Sequence, residues 1–132
     1  LPGAEALRNG ESKTVGGVKI EAVAAYNTTA GRDRYHPKGR DNGYVLDFDG
    51  RRVYIAGDTE VTPELLAVKD IAVAFLPMNQ PYTMTPEQVA EAARVMRPAI
   101  LYPYHYGDTD TAGLQALLKD LPQVEVRIRD LK

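Results

Sequence analysis

Residues 44–60 read YVLDFDGRRVYIAGDTE, from Tyr44 to Glu60, and their reading decides the fold. Tyr44 to Phe48 and Arg52 to Ala56 flank Asp49-Gly50, a dipeptide suited to the positive φ angles of a tight hairpin turn. The second run leads into Gly57-Asp58-Thr59-Glu60, a polar cluster just past the carboxyl end of a strand. In an open α/β sheet that is where ligands gather.

Toward the carboxyl terminus the pattern changes from hairpin to alternating helix and strand. Thr62-Pro63 offers an N-cap followed by proline at the first helical position, opening a short helix to about Lys69. Ile71 to Leu76 is a continuous apolar run, as expected of a strand buried on both faces. Thr85-Pro86-Glu87-Gln88 combines a capping box with an N-terminal proline, and Val89, Ala93 and Met96 continue one helical face. Ala99 to Tyr104 reads as the next strand, and Leu114, Leu117, Leu118 and Leu121 as a helical stripe that Pro122 stops. Val124, Val126 and Ile128 alternate with Glu125, Arg127 and Arg129 in a last strand.

Toward the amino terminus, Val18, Ile20 and Ala22 alternate with Lys19 and Glu21, predicting a half-buried strand from Val18 to Tyr26. The whole reads as three early strands followed by alternating helices and strands, a hairpin plus βαβαβ, an α/β fold in one domain over residues 1–132. The one long irregular stretch is 27–43; a loop of that length in a compact domain is usually functional or disordered. The chain starts on Leu1, which suggests a piece of a longer chain, and Leu1 to Gly10 lacks the pattern of a signal peptide.

Composition narrows the function. The 132 residues are 44% hydrophobic and 26% charged, with 16 basic against 18 acidic side chains, so charge favours neither nucleic acid nor an anionic membrane as partner. No apolar run is long enough to span a bilayer. With two histidines and no cysteine, a zinc finger or ribbon is excluded, and any metal site needs carboxylates. The absence of cysteine suits a reducing cytosol, so a cytoplasmic protein is expected.

If the strands ending at Ala56, Leu76 and Tyr104 are parallel, Asp58, Asn79 and His105 share one rim. Carboxylate oxygen and neutral imidazole nitrogen are suitable ligands for zinc or a similar divalent ion. Taken singly, Asp58 serves equally as a loop or capping aspartate, and a lone His105 as a structural histidine.

Ala56-Gly57-Asp58-Thr59-Glu60, then Phe75-Leu76-Pro77 with Tyr82-Thr83-Met84-Thr85-Pro86-Glu87-Gln88, then Tyr102-Pro103-Tyr104-His105-Tyr106, resemble the second half of a metallo-β-lactamase-fold hydrolase. The similarity runs from about Val15 to the end and is greatest to the ascorbate-6-phosphate lactonase-like branch. It implies half of an αββα sandwich and a divalent metal, zinc first and manganese or iron as alternatives. It further implies Asp58 as a bridging metal ligand and His105 as a second ligand. The family's remaining ligands come from a His-x-His-x-Asp-His run in the first half, which this chain does not contain. A further family histidine falls on Asn27, which departs from the pattern and could instead bind a ligand by hydrogen bonding. His36, in the same loop, could compensate; the ordinary reading of such a residue is a solvated loop histidine. Lys38 and Arg40 could steer an anionic substrate or be plain surface cations. Asn79 and Tyr82 complete the candidate substrate contacts.

Two functions follow. One is a metal-dependent hydrolase acting on an ester, lactone or phosphate, with this chain carrying part of the site. The other is a non-catalytic binding or assembly module with an incomplete metal site. Either way, three helices can cover about one face of the sheet. The other face is therefore expected to pair with the missing half or with a second copy as a homodimer.

Overall fold

The computed structural model describes residues 3–132; the start of the chain at Leu1 lies outside the described residues. Seven strands form one sheet whose spatial order follows the chain: β1 (Ser12–Val15), β2 (Val18–Ala25), β3 (Asp41–Phe48), β4 (Arg51–Ile55), β5 (Ile71–Pro77), β6 (Ile100–Tyr104) and β7 (Glu125–Val126). β1 to β4 pair antiparallel and β4 to β7 parallel. Helices α1 (Pro63–Leu66), α2 (Pro86–Met96) and α3 (Thr111–Leu117) connect the parallel strands.

The local signals act as expected. Asp49 and Gly50 both take positive φ, 55° and 89°, as a two-residue type I′ hairpin turn requires. At α2, the Thr85 hydroxyl accepts the Gln88 amide at 3.2 Å, and Gln88 Oε1 accepts the Thr85 amide at 2.9 Å, which closes the capping box.

Four boundaries differ from the sequence reading, each for a physical reason. β1 is an additional strand: its residues SKTV are all exposed, so no apolar alternation marks it. β3 starts at Asp41 because Asp41, Asn42 and Gly43 pair with Ala25, Ala24 and Val23, which shortens the long loop at its carboxyl end. Gly43 is needed there, since a Cβ would lie 2.3 Å from the Ala56 carbonyl oxygen. α1 stops at Leu66, and Asp70, with φ 57°, turns the chain into β5.

β7 keeps two residues. Glu125 and Arg127 donate their amides to the Ala99 and Leu101 carbonyls, so positions 99, 101 and 103 present their backbone to β7. Position 103 is proline, which has no N–H to continue the ladder.

The core lies on one face of the sheet. Val45, Tyr54, Ala74, Leu76 and Leu101 pack with Leu65, Val89, Ala93, Met96, Leu114 and Leu118 from the three helices. Alternate residues point the other way. Tyr44, Ile55, Phe75 and Tyr102 lie in register as one row across β3 to β6, and Leu46, Val53, Val73 and Ile100 as the next. These side chains are half-buried or exposed, and the Phe75 and Tyr102 rings stack with centroids 5.0 Å apart. One sheet face is thus covered by helices, and among the described residues no helix lies over its apolar opposite face.

Candidate metal centre

β4, β5 and β6 run parallel, and β2 shares their direction because β3 is antiparallel to both β2 and β4. Their carboxyl ends therefore meet on one rim, where four connections converge. Gly57 follows β4 with φ +69°; a Cβ there would approach the Asn42 carbonyl oxygen to 2.6 Å, so only glycine lets the chain turn this tightly before Asp58. His105 follows β6 with φ 46°.

The two side chains meet. His105 Nδ1 lies 2.9 Å from Asp58 Oδ1, across 47 positions of sequence. Both remain open to solvent, at 40% and 34% side-chain exposure, so the pair is reachable from outside.

His36 arrives from the long loop and faces the same carboxylate. Its Nε2 is 3.7 Å from Asp58 Oδ2, and its Nδ1 is 3.1 Å from Asp41 Oδ2. It is not a solvated loop histidine: 17% of its side chain is exposed. Arg40 holds Asp41 through Nε to Oδ1 at 2.9 Å and an amino nitrogen to Oδ2 at 2.7 Å, and donates again to the Tyr35 carbonyl at 2.6 Å. That guanidinium, with a smaller contribution from His36, keeps the Asp41 carboxyl below its ordinary range against the opposing effect of burial.

The loop is anchored by two residues of different kinds. Asn27, 4% exposed, donates its side-chain amide to the Arg32 and Tyr82 carbonyls at 3.1 and 2.8 Å, while its Oδ1 is buried without a partner. Its backbone N–H donates to the His36 carbonyl at 2.8 Å. Glu60, fully buried, accepts from the Thr28 and Thr29 amides at 2.7 and 2.6 Å, the Thr29 hydroxyl at 2.8 Å and Arg32 at 2.9 Å. Burial alone would raise the Glu60 carboxyl; the Thr29 and Thr28 donors and Arg32 outweigh it and hold it below its ordinary value.

The other candidate residues stand around this centre. Asn79 lies beside Gly107, and its backbone amide donates to the Thr83 hydroxyl at 2.7 Å. Tyr82 is 42% exposed with its ring edge-on to Tyr35. Lys38 is turned away into a cluster of its own, 4.8 Å over the Tyr26 ring and 3.3 Å from Glu64. The Tyr26 hydroxyl first, and then Glu64, keep its ammonium more basic than an ordinary lysine. Asp41, Glu60 and Tyr104 were not singled out by the sequence. Burial, with the nearby Asp58 charge, pushes the Tyr104 phenol up to about 12, so it stays a neutral donor beside the carboxylate.

Asp58 and His105 fit a divalent ion in kind, as an oxygen and a nitrogen donor on an open rim. Among the described residues, no group of three or more histidine, aspartate or glutamate side chains is gathered as a ready metal cage.

Comparison with known proteins places the chain. The beta-lactamase superfamily domain matches residues 3–106. A UPF0173 metal-dependent hydrolase of Deinococcus radiodurans is 30% identical over 112 residues, covering 79% of this chain and 49% of that protein. A crystal structure of a protein assigned as a metal-dependent hydrolase, from Parabacteroides distasonis, superposes with TM-score 0.94 at 60% identity, over 99% of this chain and 60% of the other. A metallo-beta-lactamase fold protein of Bacillus subtilis shares the fold at TM-score 0.74 and 12% identity, over 95% of this chain and 52% of that one. The chain spans about half the length of the curated relatives it matches. With most of its residues inside that match and its sheet superposing on those structures, the chain belongs to the beta-lactamase superfamily domain family.

Proposed function

We propose that this chain carries part of the catalytic centre of a metal-dependent hydrolase. The observation that supports it is the meeting of Asp58 and His105, brought from the ends of two parallel strands to 2.9 Å. The chain's similarity to proteins described as metal-dependent hydrolases supports it further.

In this reading Asp58 and His105 are metal ligands, with zinc first and manganese or iron as alternatives, since all three accept mixed nitrogen and oxygen donors. The chemistry such an ion would supply is a bound water acidic enough, with a pKa of about 7, to give hydroxide at neutral pH. The chain's own residues orient the reaction: Asp58 offers a carboxylate toward both imidazoles, and Tyr104 stays protonated as a neutral donor. The substrate is a small ester, lactone or phosphate, with the ascorbate-6-phosphate lactonase-like branch as its chemical model. Asn79 and Tyr82 stand where a substrate would enter. Lys38, engaged by Glu64 and the Tyr26 ring, takes no part in this reading, and Asn27 acts through the loop it anchors.

The remaining ligands, a His-x-His-x-Asp-His run, belong to a first half that packs its own sheet on the open face of this one. A second copy covering that face as a homodimer is the other arrangement. The reducing cytoplasm is the compartment proposed. No helix of the described residues is long and apolar enough to cross a membrane.

The test is metal content and turnover of the full-length protein on phosphodiester and lactone model substrates. Asp58→Ala and His105→Ala should each lower metal affinity and turnover by about a hundredfold or more, since even outer contacts at such sites are worth about 10 to 100-fold. Unchanged metal content and turnover in both variants would refute the assignment and leave the binding-module reading.

A further inference from the structure

We infer that His36 is a metal ligand of this centre, standing in for the imidazole that position 27 lacks, and that Asp41 is its positioning residue. The inference rests on the proposed metal centre and specifies a ligand that the strand-end motifs do not supply.

Four observations carry it. First, Asn27 is engaged elsewhere: its amide nitrogen is bonded to two backbone carbonyls, and its backbone N–H to the His36 carbonyl at 2.8 Å. That last bond closes residues 28–35 into a side loop and sets His36 abreast of Asn27. Eight residues are bypassed, and the next side chain at the rim is the imidazole.

Second, His36 Nε2 stands 3.7 Å from Asp58 Oδ2. This is too long for a hydrogen bond. It is within the span of two donors bound to one ion at about 2.0 to 2.2 Å each.

Third, the other ring nitrogen already has a carboxylate, with Nδ1 3.1 Å from Asp41 Oδ2. A ligating histidine characteristically donates its second N–H to a carboxylate, which fixes the tautomer and aims the free lone pair. Asp41 can do this because β3 begins there, so its backbone is paired with Ala25.

Fourth, Arg40 grips both sides of His36, the Tyr35 carbonyl before it and the Asp41 carboxylate beyond it. A histidine held this way has lost the freedom of a loop side chain. Its Nδ1 is occupied by Asp41, and its Nε2 is left facing the Asp58 carboxylate at 3.7 Å, beyond bonding distance.

The experiment is cobalt(II) titration of the full-length protein, followed by its visible ligand-field spectrum and by X-ray absorption, which counts imidazoles on the ion. His36→Ala should weaken cobalt binding at least tenfold, change the spectrum and remove one imidazole. Asp41→Asn should weaken binding by about tenfold, within the range for an outer carboxylate, while keeping the imidazole count. Asp33→Asn, an exposed acid in the same loop, should bind as the unaltered protein does. If His36→Ala does not fold, Asp41→Asn decides: cobalt affinity and spectrum identical to the unaltered protein overturn the inference. Cobalt binding lost in Asp58→Ala but untouched in His36→Ala also overturns it and leaves the centre standing. Cobalt binding indifferent to Asp58→Ala overturns both.

Discussion

Glu60→Gln tests how the long loop is held, and the structure sets the size of the effect. The glutamate is fully buried and splits its donors between two oxygens. Oε2 accepts the two backbone amides of Thr28 and Thr29, and Oε1 accepts the Thr29 hydroxyl and Arg32. Glutamine keeps one acceptor oxygen and gains an NH₂ group. Its better placement leaves the oxygen on the two amides and turns the NH₂ toward Thr29 and Arg32. The Thr29 hydroxyl can rotate and accept, but Arg32 has only donors, so a charge-assisted bond is replaced by two donors facing each other. The Arg32 side chain is 29% exposed and can swing toward water, which caps the penalty. A hydrogen bond to a charged group is worth about 1.5 to 3 kcal/mol. The expected loss is therefore about 2 to 3 kcal/mol at pH 7.

The pH dependence fixes the sign independently. The carboxyl is held below its ordinary value in the folded chain, so the native state binds fewer protons than the unfolded one as pH falls. Its contribution is complete above the unfolded carboxylate value, about 4.3, and is lost as pH falls through the lower folded value. Urea unfolding of both proteins at pH 7, and again below pH 4, reads this directly. The gap should be full at pH 7 and should narrow in acid as the unaltered glutamate protonates. A gap under 0.5 kcal/mol at pH 7 (an effect in the range of ordinary surface substitutions), or one that widens in acid, would refute the reasoning.

Two further outcomes follow from the sheet. The Tyr54 hydroxyl is buried without a partner and burial raises its pKa, so Tyr54→Phe should be neutral or stabilise by about 1 kcal/mol; a loss above 1 kcal/mol in thermal unfolding would show that the hydroxyl has a partner. The 132-residue chain produced alone should bind a hydrophobic dye and sediment above monomer mass, and Phe75→Asp on the open face should suppress both. A dye-negative monomer at micromolar concentration would contradict the expectation that another sheet covers this face.

The parts legible in the sequence are those where chemistry acts within a few residues. Asp49-Gly50 needs only its own φ angles, and Thr85 and Gln88 satisfy each other's amides. The parallel order of β4, β5 and β6 follows from their apolar runs and intervening helices, and it carries Asp58, Asn79 and His105 to one rim. β1 is invisible because SKTV has no buried face. The last strand is overread because alternation continues to Arg129 while its partner offers a proline at position 103. The course of residues 28–40 is set by Glu60, Asn27 and Arg40, contacts spanning up to 55 positions, and no periodicity encodes them. His36 therefore reads as one loop residue among many until the fold sets it against Asp58. Asp41 reads as the end of a loop although it begins a strand.

Each group at the rim is held by a separate device, and the devices differ in kind. Asp58 depends on the glycine before it, whose left-handed turn no side chain could share with the Asn42 carbonyl. His36 depends on charge, through Arg40 and Asp41. His105 takes a left-handed φ of 46° without being glycine, a conformation costing about 1 to 2 kcal/mol for an L-residue. That strain persists only where the surroundings fix it, and here they do. The His105 amide donates to the Leu131 carbonyl at 2.7 Å, and the Tyr106 hydroxyl to the Arg129 carbonyl at 2.6 Å. The carboxyl-terminal tail, past the last strand, is thus what holds the imidazole over Asp58. Regular structure delivers the backbone to the rim, and the direction of each rim side chain is then set by contacts outside it.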